Sequence, residues 1–166
     1  MATIIRLPQD SDLAPLTDIY NDYILNTTIT FDIEPYTLER RREHWWCHYA
    51  PQGRHRLLVA EQDQVVVGYA TSSRFRTKAA YDTSVETSIY LAPQSQGQGI
   101  GTQLYQALFR ALANEDVHRA YAGITLPNPG SIVLHQKFGF HSVGHYREVG
   151  RKFERYWDVE WFEKSL

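Results

Sequence analysis

The sequence predicts a mixed α/β fold, with a single central sheet and helices on both of its faces. Stretches of strand and helix periodicity follow in the order strand, two helices, three strands, helix, strand, helix, two strands. One strand-like run, Val85 to Leu91, passes into an amphipathic helix through glycines at alternate positions, Gly97, Gly99 and Gly101. The 166 residues, 43% hydrophobic and 13% aromatic, suffice for one sizeable core but not comfortably for two, so residues 1–166 are expected to form a single domain.

Each element has a local reason. Thr3 to Leu7 reads as a short strand. Asp10-Ser11-Asp12 offers helix caps, and Leu13, Leu16, Ile19, Tyr20 and Tyr23 follow at helical spacing until Asn26-Thr27-Thr28 breaks the run. Thr30 to Pro35 is expected to be extended or loop, because proline holds Glu34 out of helix. A second helix is expected from a Thr37 cap to about Tyr49. Arg56–Glu61 and Val65–Arg76, joined by Asp63-Gln64, read as an antiparallel hairpin with Gly68 marking a bulge. Arg74, Arg76 and Lys78, two apart, are then expected to share one strand face.

Val85, Thr87, Ile89 and Leu91 alternate with Glu86, Ser88 and Tyr90, and Pro93 ends that strand. Ile100, Leu104, Leu108 and Leu112 mark the apolar stripe of the next helix. Arg119 to Leu126 is a further strand. Asn128-Pro129 starts a helix, with asparagine as cap and proline in the first turn, and Gly139 closes it. A last strand with one apolar face is expected from Phe153 through Trp157, Val159 and Trp161.

Composition excludes several classes of function. A net charge of −2 leaves no electrostatic footprint for nucleic acid or for an anionic membrane surface. One cysteine, Cys47, cannot build an internal disulfide framework and fits a reducing compartment. The first 25 residues lack a secretory pattern and no run approaches membrane-spanning length, so a soluble cytoplasmic protein is expected. His44, Cys47 and His48 share a helical face, but Trp45 stands where a zinc-protease motif needs glutamate. Aromatic packing is the better account, and no metal is expected.

The glycines sit where a strand hands over to a helix N-terminus. There the first N–H groups lack intrahelical partners and the dipole favours negative charge. Without side chains, glycines let an anion approach that backbone, most plausibly as phosphate. The dinucleotide fingerprint fails because Thr102 and Leu104 occupy the places near its third glycine. The triphosphate loop fails for want of a nearby lysine. What remains is Gln/Arg-x-x-Gly-x-Gly, met by Gln96, Gly99 and Gly101. Taken alone, that pattern reads equally well as a glycine-rich turn.

The rest of the chain adds weight. The loop and the run Asn128 to Phe140 resemble the pyrophosphate loop and the Asn-x-x-Ser/Ala-x-x-Leu-Tyr/His-x-x-x-Gly-Phe helix of the GCN5-related N-acetyltransferases (GNAT). Within that superfamily the sequence is most similar to phosphinothricin and methionine sulfoximine acetyltransferases, through Ile19-Tyr20-Asn21, Thr30-Phe31, Glu34-Pro35, Phe75-Arg76, Val85-Glu86, Leu134-His135 and Trp157-Asp158-Val159. The likeness covers nearly the whole chain. Two departures stand out: Gln96 replaces the usual arginine at the head of the loop, and Phe75 replaces a tryptophan.

The resemblance implies a GNAT fold with a mixed, mostly antiparallel sheet, acetyl-CoA as donor, direct transfer to the amine of a small amino acid analogue, and a homodimer. It assigns Ile89, Tyr90, Leu91, Gln96, Gly97, Gln98, Gly99, Ile100, Gly101, Asn128 and Ser131 to the cofactor. Phe31, Phe75, Arg76 and Thr77 are assigned to the acceptor. Glu86 becomes the general base, directly or through water, against the alternative of a solvated charge on an exposed face. His135 becomes an acid for the departing thiolate, an acceptor contact or the cap of a hydrogen-bond network. Two other functions stay open: a peptide N-terminal acetyltransferase, and a non-catalytic acyl-CoA-binding module.

Overall fold

The computed structural model describes residues 2–166. In chain order it contains β1 (Thr3–Arg6), α1 (Leu13–Asn26), α2 (Leu38–His44), β2 (Leu57–Gln62), β3 (Val65–Arg74), β4 (Ser84–Leu91), α3 (Ile100–Leu112), β5 (Arg119–Thr125), α4 (Pro129–Lys137), β6 (His141–Lys152) and β7 (Arg155–Ser165). This is the element order predicted from the sequence. The strands form one seven-stranded sheet in the order β1-β2-β3-β4-β5-β7-β6. Every neighbouring pair is antiparallel except β4 and β5.

The helices cover both faces. On one, Ile100, Leu104, Leu108 and Leu112 of α3 are wholly buried or nearly so, against Leu58, Ala70 and Val85 of the sheet. On the other, Leu16, Ile19 and Tyr23 of α1 pack on Leu57, Val59 and Tyr69, with Trp45 and Trp46 alongside. Burying these side chains supplies about 1.5–3 kcal/mol each before entropy is set against it.

Asp63 and Gln64 take positive φ in the two-residue β2–β3 turn, the backbone that matches a hairpin's twist. Ala60 pairs with Gly68 and Glu61 with Val66, so Val67 is extra and a bulge lies beside Gly68, as expected.

Three boundaries differ from the sequence reading. The second helix stops at His44. Trp45 leaves helical geometry (φ −139°), a 3-10 turn follows over Trp46–His48, and the Trp45 ring packs on Tyr49 and Tyr69. Strand β3 ends at Arg74, not Arg76. Phe153 and Glu154, both at positive φ, form the β6–β7 turn rather than the start of the last strand.

Candidate active site

Strands β4 and β5 run side by side for three rungs only, Ser84 with Arg119, Val85 with Ala120 and Glu86 with Tyr121. Beyond Glu86 they part. Strand β5 is held along its whole length by β7 instead. The β5-facing edge of Thr87–Leu91 is therefore left without a strand partner, and unpaired strand edges are templates for an extended ligand. Asn128 and Ser131 of the α4 N-terminus face this wedge.

The wedge continues into a groove of about 390 Å³, bounded by Ile89 and Leu91, by Gly97, Gly99 and Gly101, and by Asn128 and Ser131. Gly97 and Gly99 hold φ of 74° and 77°, which side-chain-bearing residues rarely adopt. Among the described residues, the backbone N–H groups of residues 97–102 donate to no protein acceptor. They cluster at the N-terminus of α3, where the macrodipole adds to their attraction for an anion.

The structure thus brings together Ile89, Leu91, Gln96, Gly97, Gly99, Gly101, Asn128 and Ser131, with Tyr90 lining the wedge itself. Two residues of the expected set contribute differently. The Ile100 side chain is fully buried in the core, so only its backbone faces the loop. Gln98 turns its amide to the Gln94 carbonyl. Gln96 donates to the Tyr23 hydroxyl at 3.1 Å, and that hydroxyl donates to the Leu91 carbonyl at 2.7 Å. Tyr23 thereby ties the loop to the end of β4, a role its helical spacing did not reveal.

Glu86 occupies the last rung before the fork. Its half-buried carboxyl makes no hydrogen bond or ion pair among the described residues. Burial pushes its pKa above the ordinary 4.5, while the positive charge of Arg76 pulls the other way. Glu86, Ser88 and Tyr90 line one cavity of about 230 Å³ on the α1–α2 face, walled also by Tyr69, Trp45 and Arg41. Ser88 and Tyr90 also border the wedge, so the cavity and the donor groove meet across one strand.

The expected acceptor residues lie around this cavity rather than in it. Phe75 stacks on Tyr121 (centroids 4.3 Å, 15° between planes), and the exposed Arg76 guanidinium lies 4.6 Å over the Phe75 ring. Because β3 has already ended, Arg74, Arg76 and Lys78 do not share a strand face. Arg74 turns back to donate to the carbonyls of Arg76 (3.1 Å) and Thr77 (2.8 Å), which fixes the loop carrying Arg76. Phe31 packs against Gly150 of β6, and its segment is tied there by the Lys152 ammonium, which donates to the Thr30 carbonyl at 2.9 Å.

His135 is 3% exposed. Its Nδ1 lies 2.7 Å from the Ser131 carbonyl, which can only accept, so Nδ1 carries the proton. Nε2 then accepts from the Tyr105 hydroxyl at 2.9 Å. Burial lowers the pKa of His135 below its ordinary 6.5 and raises that of Tyr105.

A profile of an acetyltransferase (GNAT) domain matches residues 5–161. The chain belongs to the GNAT acetyltransferase family. A phosphinothricin N-acetyltransferase of Streptomyces coelicolor is 56% identical over 164 residues, 98% of this chain and 95% of the relative. Among solved structures, a ribosomal-protein-alanine N-acetyltransferase from Brucella melitensis superposes with a TM-score of 0.91 at 35% identity, covering 98% of this chain and 99% of that one. A GNAT phosphinothricin acetyltransferase from Sinorhizobium meliloti, solved with AcCoA, gives 0.92 at 31% identity, covering 100% and 89%.

Acetyl-CoA, the donor of this GNAT acetyltransferase, suits the residues present. The loop N–H groups, the α3 N-terminus and the open β4 edge answer a pyrophosphate and an amide-bearing arm. The aromatic box beside Glu86 was not singled out in the sequence. Tyr20 comes from α1, Trp45 and Tyr49 from the stretch after α2, and Tyr69 from β3, and only the tertiary fold assembles them.

Proposed function

We propose that the chain acetylates the amino group of a small amino acid analogue of the phosphinothricin or methionine sulfoximine type, by direct transfer from acetyl-CoA. The observation that supports this most is the junction at Ser88 and Tyr90. There an aromatic-walled cavity of amino acid size, itself open to solvent, meets the donor wedge, with Glu86 in its lining. Bringing two substrates together at one strand is the main task of such a site, since positioning alone removes several kcal/mol of barrier.

Glu86 is the general base. Its unpaired, part-buried carboxylate with a raised pKa is suited to take a proton from an ammonium near neutral pH. The loop of residues 96–101 holds the pyrophosphate. The backbone of Ile89, Tyr90 and Leu91 pairs with the pantetheine arm, flanked by Asn128 and Ser131. Arg76, carried with Phe75 and Thr77 at the mouth beside Glu86, attracts the α-carboxylate of the acceptor. His135 acts as the anchor of a buried network rather than as a proton donor, because both ring nitrogens are already bonded. Acetyl-CoA supplies the activated acetyl group; the residues named hold the donor, orient the acceptor and accept its proton.

The protein works as a homodimer in the cytoplasm. Val143, Tyr146, Val149, Phe153 and Tyr156 stand exposed along the β6–β7 hairpin, an apolar surface suited to a second copy, and Cys47 is free and exposed. Light scattering giving a monomer at micromolar concentration would remove the dimer.

The deciding experiment compares phosphinothricin and methionine sulfoximine with a decarboxylated amine and a short peptide, by kcat/KM for acetyl-CoA turnover. The free amino acids are expected to lead by at least tenfold. A peptide in the lead would install the peptide N-terminal acetyltransferase reading, and no turnover of any amine the acyl-CoA-binding module.

A further inference from the structure

Arg41 is the one buried residue of α2, a helix otherwise facing solvent, and it is 3% exposed. Arginine keeps its charge in proteins, and a buried charge is costly without a partner. Yet among the described residues no carboxylate lies within 4.0 Å of it. The guanidinium is held by aromatic rings instead, 4.1 Å over Tyr20 and 3.8 Å over Trp45. Nη2 donates to the Tyr69 hydroxyl at 3.1 Å, and Nε, fully buried, has no hydrogen-bond partner. Arg56 Nε is also buried without a partner, but Arg56 reaches Glu115 at 3.2 Å, whereas Arg41 has no carboxylate beside it, and an unmet buried donor forfeits its hydration with no return.

This cation, with no carboxylate beside it, lines the same cavity as Glu86. Register places the two at different depths. Glu86 pairs with Ser73, whereas Tyr69, the arginine's partner, pairs with Tyr90, four residues further along β4. At about 3.4 Å per residue the backbones of the two rungs are roughly 14 Å apart. An acceptor whose amine lies at Glu86 keeps its α-carboxylate beside that amine, near Arg76. Only the end of its side chain points toward the Tyr69 rung.

We propose that Arg41 binds an oxyanion at the side-chain end of the acceptor, such as a phosphinate, in the part of the aromatic cavity beside Tyr69. The site then reads a zwitterion at two points, with Arg76 at the mouth for the α-carboxylate and Arg41 at depth for the second anion. Here a planar guanidinium between two rings presents its donors edge-on, a geometry that lysine cannot copy. This assignment deepens the acceptor proposed above and rests on it for the identity of the substrate.

The test compares phosphinothricin, whose side chain ends in an anion, with methionine sulfone, whose side chain ends uncharged, in wild type and in Arg41→Gln. KM for phosphinothricin is expected to rise at least tenfold more than KM for methionine sulfone, with kcat for either changing less than about threefold. Calorimetric affinity for acetyl-CoA should be unchanged, which certifies the fold. Equal losses for both substrates overturn the proposal and leave Arg41 a packing residue. If wild type acetylates neither compound, the acceptor reading falls separately, and titration with dimethylphosphinate then decides Arg41. Binding to wild type that drops at least tenfold in the variant sustains the anion site; equal or absent binding overturns it. Should Arg41→Gln fail to fold, Arg41→Lys serves the same comparison.

Discussion

The Tyr105 hydroxyl donates to His135 Nε2 across 2.9 Å, joining the middle of α3 to the last turn of α4 beneath the wedge. With Nδ1 given to the Ser131 carbonyl at 2.7 Å, the imidazole is neutral and fully used. The wall of the donor groove therefore rests on a buried polar pair, where an unmet group costs about 1–3 kcal/mol.

Replacing His135 with asparagine should lower stability by about that amount while reducing kcat less than tenfold. Denaturant unfolding and steady-state rates check it; a hundredfold loss of kcat with intact acetyl-CoA binding would restore the acid role. The pH dependence has a definite sign. Burial depresses the folded pKa below 6.5, so the unfolded chain binds the extra proton first. This contribution to stability is present above the unfolded value and is lost as pH falls below it, and His135→Asn should flatten that slope.

Glu86→Gln should cut kcat about a hundredfold at neutral pH and leave acetyl-CoA affinity unchanged. The base must be ionised, so activity falls as pH drops through its raised pKa, placing the acid limb above the ordinary 4.5. Arg76 holds that value down, so Arg76→Gln should move the limb to higher pH. A limb that stays in place in that variant, measured as log(kcat/KM) against pH, uncouples the two residues.

At Gly101, a methyl group would lie 3.3 Å from Leu134 Cδ2 and 3.5 Å from Ile89 Cδ1, inside the donor groove. Gly101→Val should weaken acetyl-CoA binding at least tenfold. Calorimetry on a folded variant with wild-type affinity would remove the loop from the binding site.

A side chain at Gly150 would overlap the Phe31 ring. Gly150→Ala is expected to cost about 1–3 kcal/mol in urea unfolding and to raise acceptor KM more than acetyl-CoA Kd. Unchanged stability would mean that Phe31 swings clear at no cost.

The parts of this site that sequence revealed are those written in local periodicity. Ile100, Leu104, Leu108 and Leu112 must face inward on any helix, and Asn128-Pro129 caps one by its own chemistry. The glycine loop between them was placed for the same reason. Arg41 was not legible because nothing local separates it from Arg40 and Arg42. What buries it is a pair of rings contributed by α1 and by Trp45, where α2 ends early. Phe75 and Arg76 read as the end of a strand, yet Phe75 stacks on Tyr121 of β5, a contact across the sheet that no window of sequence contains.

The fork between β4 and β5 also carries a consequence for how the protein is made. What holds β5 away from Thr87–Leu91 is its ladder to β7, the last strand of the chain. Lys152, which fastens the Thr30–Phe31 segment, comes almost as late. On the ribosome, β1 to β4 and α3 emerge first, with their apolar face ready to collapse. The nascent chain nonetheless has no wedge until residues near Ser165 have left the tunnel. Until then the open edge of β4 is free to take any strand that reaches it, its own β5 in a longer register or another nascent chain. Ligand competence is thus acquired only once β7 is in place.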